Sequence, residues 1–421
     1  MRPERAALVG LITGPVRRLE AERSLDELAG LATTAGAMVA LRVLQERVRP
    51  DAGTFLGSGK LASLAAACDE ADVDLVAFDN ELTPAQLRQI EARLERKVVD
   101  RTQLILDIFA ARARTREGKL QVELAQLKYL MPRLVGGSDY LSRLGGGIGT
   151  RGPGETKLEA DRRKIRQRIS HLNTLLEDVR RRRTQLRERR HKASVPTVAL
   201  VGYTNAGKTT LFNLLAGEQA TVSDALFVTL DPLVRRVRLA DGRELLVSDT
   251  VGFIDRLPHT LVAAFRATLE EVVSADLLLH VIDAGTPGVD RRVAAVRRTL
   301  EEVGAAEVAT LDVFNKCDLL DGAELERLQR REPEASRISA ATGSGRGELV
   351  DAISARLGLD TCRLVVTLDL SSESDRQKLA QIYRFGRVAE QTEFEGRARI
   401  EAEVPRRLWE RLRPGGDDVV A

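Results

Sequence analysis

The sequence is poor in the residues that mark secreted and membrane proteins. It has three cysteines in 421 residues, Cys68, Cys317 and Cys362, which are far apart and odd in number. This argues against a disulfide framework or a zinc site and indicates a reducing compartment. No stretch approaches about 18 uninterrupted apolar residues, so no transmembrane helix is predicted. No long apolar run follows the charged amino terminus, so no signal peptide is predicted. We therefore expect a cytoplasmic protein.

One glycine-containing stretch, GYTNAGKTT at residues 202–210, fits the phosphate-loop pattern G-x-x-x-x-G-K-[ST]. A β-branched apolar run precedes it and a helical pattern follows, which is the strand-loop-helix setting that the motif needs. Its backbone N–H groups would point at phosphate oxygens. Lys208 would reach the β- and γ-phosphates, and Thr209 would bind Mg²⁺. An ordinary glycine turn is the alternative, and the flanking strand and helix argue against it.

The base motif NKCD, residues 315–318, follows two further apolar strands. The Asp318 carboxylate can accept hydrogen bonds from both guanine N1–H and the exocyclic amine, and adenine lacks that donor pair. Guanine is therefore the predicted base. Asn315 and Lys316 would brace the loop, and Ser339 and Ala340 would offer a backbone N–H to guanine O6.

Two further segments are placed to sense the γ-phosphate. In DTVG, Asp249 would hold Mg²⁺ through water and the Gly252 N–H would touch the γ-phosphate. In FVTLDP, Thr229 would close over the metal only while the γ-phosphate is bound. Thr221 and Ser223 are rival positions, but Thr229 is preferred because Asp231-Pro232 after it marks a turn. A plain strand threonine is the alternative.

Phe253 follows DTVG at the position where many switch GTPases have a glutamine that orients the attacking water. A phenylalanine can neither donate nor accept a hydrogen bond. We predict slow intrinsic hydrolysis, with the water positioned by another group or by a docking partner. Arg256 could stabilise transition-state charge, although a solvated loop arginine is the simpler interpretation.

These motifs predict one nucleotide site that binds GTP with Mg²⁺. Its catalytic residues would be Lys208, Thr229 and Gly252, and its metal ligands Thr209, Thr229 and Asp249. The predicted nucleotide-binding residues are Gly202, Tyr203, Thr204, Asn205, Ala206, Gly207, Lys208, Thr209, Thr210, Asp249, Thr250, Val251, Gly252, Asn315, Lys316, Asp318, Ser339 and Ala340.

The predicted fold class is α/β, and four segments follow from the patterning. Residues 1–105 alternate apolar strands and helices, which indicates a small α/β domain with a mainly parallel sheet. Residues 106–192 are predicted as a long helical hairpin, residues 195–358 as the domain with the nucleotide motifs, and residues 362–421 as a small α/β domain. The GSGK starting at Gly57 fails the phosphate-loop spacing and is better explained as a turn that starts a helix.

The hairpin prediction depends on two apolar seams that step by three and four residues. They are Leu120, Leu124, Leu127, Met131 and Leu134, and Ile165, Ile169, Leu172, Leu176 and Val179. The second helix is strongly basic although the net charge is only +3. Its cations are Arg162, Arg163, Lys164, Arg166, Arg168 and the run from Arg180 to Arg183. A solvated face is the simpler explanation, but such concentration favours a polyanion such as RNA.

The connection between the two helices, residues 135–155, is glycine-rich and holds Tyr140, Arg143 and Arg151. Glycine allows close backbone approach, and arginine and tyrosine supply phosphate pairing and stacking. A disordered linker is the alternative. We expect a probe presented at the tip of the hairpin.

The segment GGGIGTRGPGETKLEADRRKI and the helices before it resemble the signature region of the HflX family of GTPases. The guanine motifs and Phe253 fit that family, and the resemblance extends to about residue 358. It implies a cytoplasmic GTPase that contacts rRNA of the large ribosomal subunit through the hairpin and the glycine-rich loop, and that separates stalled or inactive ribosomes. We expect no DNA partner, no membrane span and a monomer.

Two other functions are open at this stage. One is a GTPase subunit of an RNA-modification or RNA-remodelling complex. The other is an interaction protein with a vestigial nucleotide site, against which the intact Lys208, Thr209, Asp249, Asn315 and Asp318 argue.

Overall fold

The structure is a computed structural model. It describes residues 2–14, 18–134, 157–192, 195–217, 226–227, 229–230, 232–239, 244–254, 266–359, 361–394 and 396–412. The glycine-rich connection, the rival positions Thr221 and Ser223, and Arg256 lie outside the described residues. Among the described helices, none is long and apolar enough to cross a membrane.

The N-terminal domain is a four-stranded sheet in which every pairing is parallel, as predicted. Its order is β2-β1-β3-β4, with β1 (Arg5–Thr13), β2 (Met38–Arg47), β3 (Leu75–Phe78) and β4 (Lys97–Asp100). Its helices are α1 (Arg18–Thr34), α2 (Ser58–Glu70), α3 (Pro84–Leu94) and α4 (Arg101–Arg112). Helix α3 starts after Thr83, which forms a reciprocal capping box with Gln86. The boundary that we placed at residue 105 falls inside α4.

Two antiparallel helices follow, α5 (Arg116–Leu130) and α6 (Lys157–Lys192), with a 3₁₀ turn at Met131–Arg133. Their facing side chains form a separate apolar cluster that contains every predicted seam residue except Val179. Ion pairs fix the register, Arg168 with Glu123 at 2.6 Å and Arg183 with Glu117 at 2.9 Å. Farther along, Arg180 of α6 pairs at 3.0 Å with Glu270 of the next domain. Helix α6 therefore contacts both α5 and the central domain.

The central domain is a six-stranded sheet in the order β10-β9-β8-β5-β7-β6. All described pairings are parallel except β6 with β7. The strands are β5 (Thr197–Gly202), β6 (Leu233–Arg238), β7 (Glu244–Asp249), β8 (Leu277–Asp283), β9 (Thr310–Asn315) and β10 (Ser336–Arg337). The helices are α7 (Lys208–Ala216), α8 (Arg266–Val273), α9 (Val289–Glu302), α10 (Gly322–Arg331) and α11 (Arg346–Arg356). β5 and β8 are almost entirely buried, as strands with helices on both faces are.

The C-terminal domain is a three-stranded antiparallel sheet in the order β11-β13-β12. It consists of β11 (Thr361–Asp369), α12 (Glu373–Phe385), β12 (Arg387–Phe394), β13 (Arg397–Pro405) and α13 (Arg406–Leu412). The sequence predicted only strand, helix, strand. It missed β12 because this edge strand is polar and mostly exposed and therefore carries no apolar alternation. Trp409 packs against the apolar cluster of this domain.

The largest hydrophobic cluster is shared by the N-terminal and central domains. Leu28 and Phe109 come from the N-terminal domain, and Phe227, Val251 and Phe253 come from the segments beside the nucleotide motifs. The rings of Phe109 and Phe227 meet edge to face with centroids 4.7 Å apart. The predicted α/β fold class, a mainly parallel nucleotide-motif domain after a smaller α/β domain, is confirmed.

Leu172 tests the hairpin, because it is fully buried between α5 and α6. We expect Leu172→Ala to lower local stability by about 3 kcal/mol, since it leaves a cavity in a small core. Hydrogen exchange of the α5 and α6 amides should accelerate by about 100-fold, with exchange in β11 and β13 unchanged. The exposed neighbouring change Asn173→Ala is the control. Equal exchange in both variants would contradict the packing.

Candidate functional site

A cavity of about 300 Å³ opens at the carboxyl ends of β5 and β9, the edge at which parallel sheets bind ligands. Most of the predicted nucleotide-binding residues line it. The lining residues are Thr204, Asn205, Gly207, Lys208, Thr209, Thr210, Phe227, Thr229, Thr250, Gly252, Asn315, Lys316, Asp318, Leu319, Ser339, Ala340 and Ala341. Thus five segments that are separate in the chain meet at one place.

The two glycines of the phosphate loop, residues 202–209, are required by close contacts. Gly202 has φ +151°, and a Cβ there would lie 2.3 Å from the Val281 carbonyl oxygen. Gly207 has φ +90°, and a Cβ there would lie 2.2 Å from Nδ2 of Asn315. Such distances leave no room for a side chain. The loop can therefore take this path only with glycine at both positions.

Lys208 is buried at the start of α7. Its Nζ donates to the Gly202 carbonyl at 3.0 Å and to the Tyr203 carbonyl at 2.8 Å. Burial lowers the pKa of the Lys208 ammonium to about 8, against the opposing attraction of the Asp249 carboxylate. This buried cation is hydrogen-bonded to uncharged carbonyl groups, so an anionic ligand would supply the counter-charge that it lacks.

Thr209, Thr229 and Asp249, the three predicted metal ligands, are in mutual contact. The Thr209 and Thr229 hydroxyls both donate to Asp249 Oδ2, at 2.8 and 2.9 Å, and lie 3.0 Å from each other. Asp249 Oδ1 is buried and has no hydrogen-bond partner among the described residues. Burial raises the pKa of Asp249, while Lys208 opposes the shift. The cluster gathers oxygen atoms, the donor type that Mg²⁺ prefers.

Asn315 joins the phosphate loop to the predicted base-binding segment. Its Nδ2 donates to the Ala206 carbonyl at 2.8 Å, and its Oδ1 accepts from the Ala340 N–H at 2.9 Å. Lys316 pairs with Asp283 at 2.8 Å, and Asp318 is exposed on the cavity rim. We expected Ser339 and Ala340 to offer a backbone N–H to guanine O6. In this structure the Ala340 N–H is bonded to Asn315, and the Ser339 N–H is bonded to the Ser344 carbonyl at 3.0 Å.

Some predicted residues support the cavity without lining it, namely Gly202, Tyr203, Ala206, Asp249 and Val251. Ala206 and Val251 are buried in apolar clusters. Conversely, the sequence prediction missed Phe227, Leu319 and Ala341. Leu319 and Ala341 directly follow predicted motif residues, so adjacency was the only signal that could have found them. Phe253 is buried in the shared cluster and does not line the cavity.

Three family models match consecutive parts of the chain. Residues 22–110 match "GTP-binding GTPase N-terminal", residues 112–190 match "GTP-binding GTPase Middle Region" and residues 197–316 match "50S ribosome-binding GTPase". Among curated relatives, the GTPase HflX of Caldanaerobacter subterraneus subsp. tengcongensis is 47% identical over 97% of this chain and 93% of its own length. The GTPase HflX of Escherichia coli K12 is 44% identical over 97% of this chain and 95% of its own length.

The chain belongs to the HflX family of GTPases.

HflX GTPases bind and hydrolyse GTP, so family membership identifies the activity of this chain. The chain is thus a GTP-binding P-loop hydrolase. Among solved structures, it is similar to a GTP-binding protein of Sulfolobus solfataricus in complex with GDP. That protein is 23% identical, with a TM-score of 0.45 over 84% of this chain and 98% of the other.

Gly207→Ala tests the fit between the phosphate loop and Asn315. We expect nucleotide affinity to fall by about tenfold or more, because alanine is strained at this φ and its Cβ displaces the Asn315 amide. Titration with a fluorescent GDP analogue would measure it. Gly217→Ala is the matched control, since Gly217 also has positive φ (+67°) but nothing within 4 Å of a Cβ. Equal losses in both variants would contradict the steric explanation.

Proposed function

We propose that this GTPase acts in the cytoplasm on the large ribosomal subunit and separates stalled or inactive ribosomes. The observation that carries the proposal is the basic helix α6, which packs on the central domain through Arg180 and Glu270. Residues 197–316 match a family described as "50S ribosome-binding GTPase", which supports the same partner. Hydrolysis is slow until the subunit binds.

The exposed part of α6 supplies the RNA-binding charge. Several of its arginines are engaged within the protein, including Arg168, Arg180 and Arg183. Lys164 and Arg166 are exposed and, among the described residues, have no ion-pair partner. Cations that are free to meet phosphates provide the sequence-independent part of RNA affinity. The glycine-rich connection, outside the described residues, joins this helix to α5 and contacts the same rRNA.

The phosphates of GTP occupy the phosphate loop. Backbone N–H groups of the loop and the N-terminus of α7 hold them, and Lys208 reaches the β- and γ-phosphates. The buried ammonium gains most from such a ligand, because its present partners are two uncharged carbonyl groups. Gly252 lies beside Lys208, since a Cβ on Gly252 would be 3.1 Å from Nζ. A γ-phosphate held by Lys208 would therefore lie beside Gly252, whose N–H would contact it.

Thr209, Thr229 and Asp249 would hold Mg²⁺ when GTP is bound. The buried Asp249 Oδ1, with no hydrogen-bond partner among the described residues, and two hydroxyls on Oδ2 fit an ion that needs few protein oxygens beside those of the nucleotide. Bound Mg²⁺ would neutralise negative charge on the phosphates during hydrolysis. The protein residues would place the oxygens, and the Lys208 ammonium would contribute a further positive charge.

Guanine is recognised at the cavity rim. Asp318 accepts from the two guanine donors, and Asn315 and Lys316 brace the loop through Ala206 and Asp283. Because the Ala340 N–H is engaged with Asn315, the next residue of the cavity lining, Ala341, is the better donor to guanine O6.

Phe253 explains the slow intrinsic rate. Its ring is buried among apolar side chains, so the position next to Gly252 contributes no polar group to the attacking water. The large subunit provides or orders the missing group when it contacts the segments beside the γ-phosphate.

The partner can be tested by GTP hydrolysis with added ribosomal subunits. We expect large subunits to accelerate turnover by about tenfold or more and small subunits to have no effect. No acceleration by either would remove the ribosome from the function and favour a GTPase of an RNA-modification complex.

The role of α6 can be tested by Lys164→Glu combined with Arg166→Glu. The acceleration by large subunits should fall by about tenfold, because two phosphate contacts become repulsive. Arg327→Glu with Arg330→Glu makes the same charge change on the exposed helix α10 and serves as control. A similar loss in the control pair would mean that net charge, and not the face of α6, determines binding.

Base recognition can be tested by Asp318→Asn. GTP affinity should fall by about tenfold or more, and xanthosine triphosphate should now bind, because its base offers the complementary edge. Asp290→Asn, which changes an exposed carboxylate of the same domain, is the control. Unchanged base selectivity would contradict the assignment of Asp318.

A further inference from the structure

Tyr203, the second residue of the phosphate loop, is turned toward the N-terminal domain. It does not line the nucleotide cavity, and it is only 9% exposed. Its ring lies in the cluster shared with Phe227 and Phe253, and the Arg292 guanidinium lies 4.9 Å from the ring centroid. Its hydroxyl donates a hydrogen bond to Glu27 of α1, a residue 176 positions away in the chain.

Glu27 is itself held by a buried charge network of the N-terminal domain. Its other carboxylate oxygen pairs with Arg101, the first residue of α4. Arg101 also pairs with Asp79 at 2.8 Å, and Asp79 accepts from the Ser24 hydroxyl at 2.6 Å. Arg101 and Asp79 are 3% and 5% exposed. Because an arginine fixes one oxygen of the partly buried Glu27 carboxylate, the other oxygen is held in one direction.

The main chain of Tyr203 takes part in the phosphate loop itself. Its carbonyl accepts from Lys208 Nζ at 2.8 Å. On either side, Phe253 N–H donates to the Gly202 carbonyl at 3.0 Å, and Thr204 N–H donates to the Phe253 carbonyl at 2.7 Å. The position of Tyr203 therefore fixes one of the two carbonyls that orient the Lys208 ammonium.

We propose that Glu27 is a positioning residue for the phosphate loop, which acts through the Tyr203 hydroxyl on Lys208. The contact chain from Asp79 through Arg101, Glu27 and Tyr203 to Lys208 is continuous. The N-terminal domain thus supports the nucleotide site although none of its described residues lines the cavity. This inference rests on the phosphate-binding role proposed above for Lys208.

The test compares GDP affinity in Tyr203→Phe, Glu27→Ala and the double variant of the full chain. Each single change should weaken GDP binding by about 3- to 10-fold, as the loss of one buried hydrogen bond does. The double variant should bind GDP no less tightly than whichever single variant binds it less tightly, because both changes remove the same interaction. Tyr203→Phe keeps the Arg101 pair intact, so it decides the result even if Glu27→Ala does not fold.

Tyr383→Phe is the matched control, because the Tyr383 hydroxyl also donates to a side chain, Gln391, but in the C-terminal domain. It should leave GDP affinity unchanged. A second measurement uses competition by GMP, which has no β-phosphate for Lys208 to reach. Competition by GMP should change less than about twofold in Tyr203→Phe.

Unchanged GDP affinity in Tyr203→Phe, additive losses in the double variant, or an equal loss for GMP would overturn the proposal. Lys208→Ala separates this failure from a failure of the proposed site. If Lys208→Ala retains wild-type GDP affinity, the role of Lys208 itself is wrong. If Lys208→Ala loses GDP while Tyr203→Phe does not, only the Glu27 proposal is wrong.

Discussion

The hydrophobic core between the N-terminal and central domains is the constraint on which the rest of the structure depends. Aromatic side chains of both domains meet in it, among them Phe109, Phe227 and Phe253. Such side chains bury large areas and favour edge-to-face contact. Two of the three belong to segments that border the nucleotide cavity. These segments can change conformation only if the packing against α4 changes with them, because a close-packed core does not deform continuously.

Within that apolar frame, the nucleotide site is a small polar exception. Lys208 and Asp249 are both buried. Burial lowers the pKa of Lys208 and raises the pKa of Asp249, so in each case it favours the neutral form. Within the described part of the chain, carbonyl groups hydrogen-bond to Lys208 and hydroxyl groups hydrogen-bond to Asp249. A ligand that carries negative phosphates and a divalent cation supplies the counter-charges that the protein leaves out.

The sequence was informative where structure is local. The phosphate loop follows from residues within nine positions, and the hairpin seam follows from spacing along two helices. Edge strands such as β12 were missed because one exposed strand has no apolar period. From the sequence, Phe253 indicated only that the amide of the usual glutamine is absent. Its burial could not be predicted, because it depends on residues of another domain. The Glu27 contact of Tyr203 could not be predicted, because nothing local links positions so far apart.

The length of helix α6 determines how far its free end moves when the helix tilts. It is 36 residues long, or about 54 Å, and is tied to the central domain by Arg180 and Glu270. From that tie to Lys157 the helix runs about 35 Å. A tilt of about 5° at the tie would displace Lys157 by about 3 Å, which is the length of a hydrogen bond. An angular change of this size at the tie would therefore be enough to make or break a hydrogen-bonded contact at the far end of the helix.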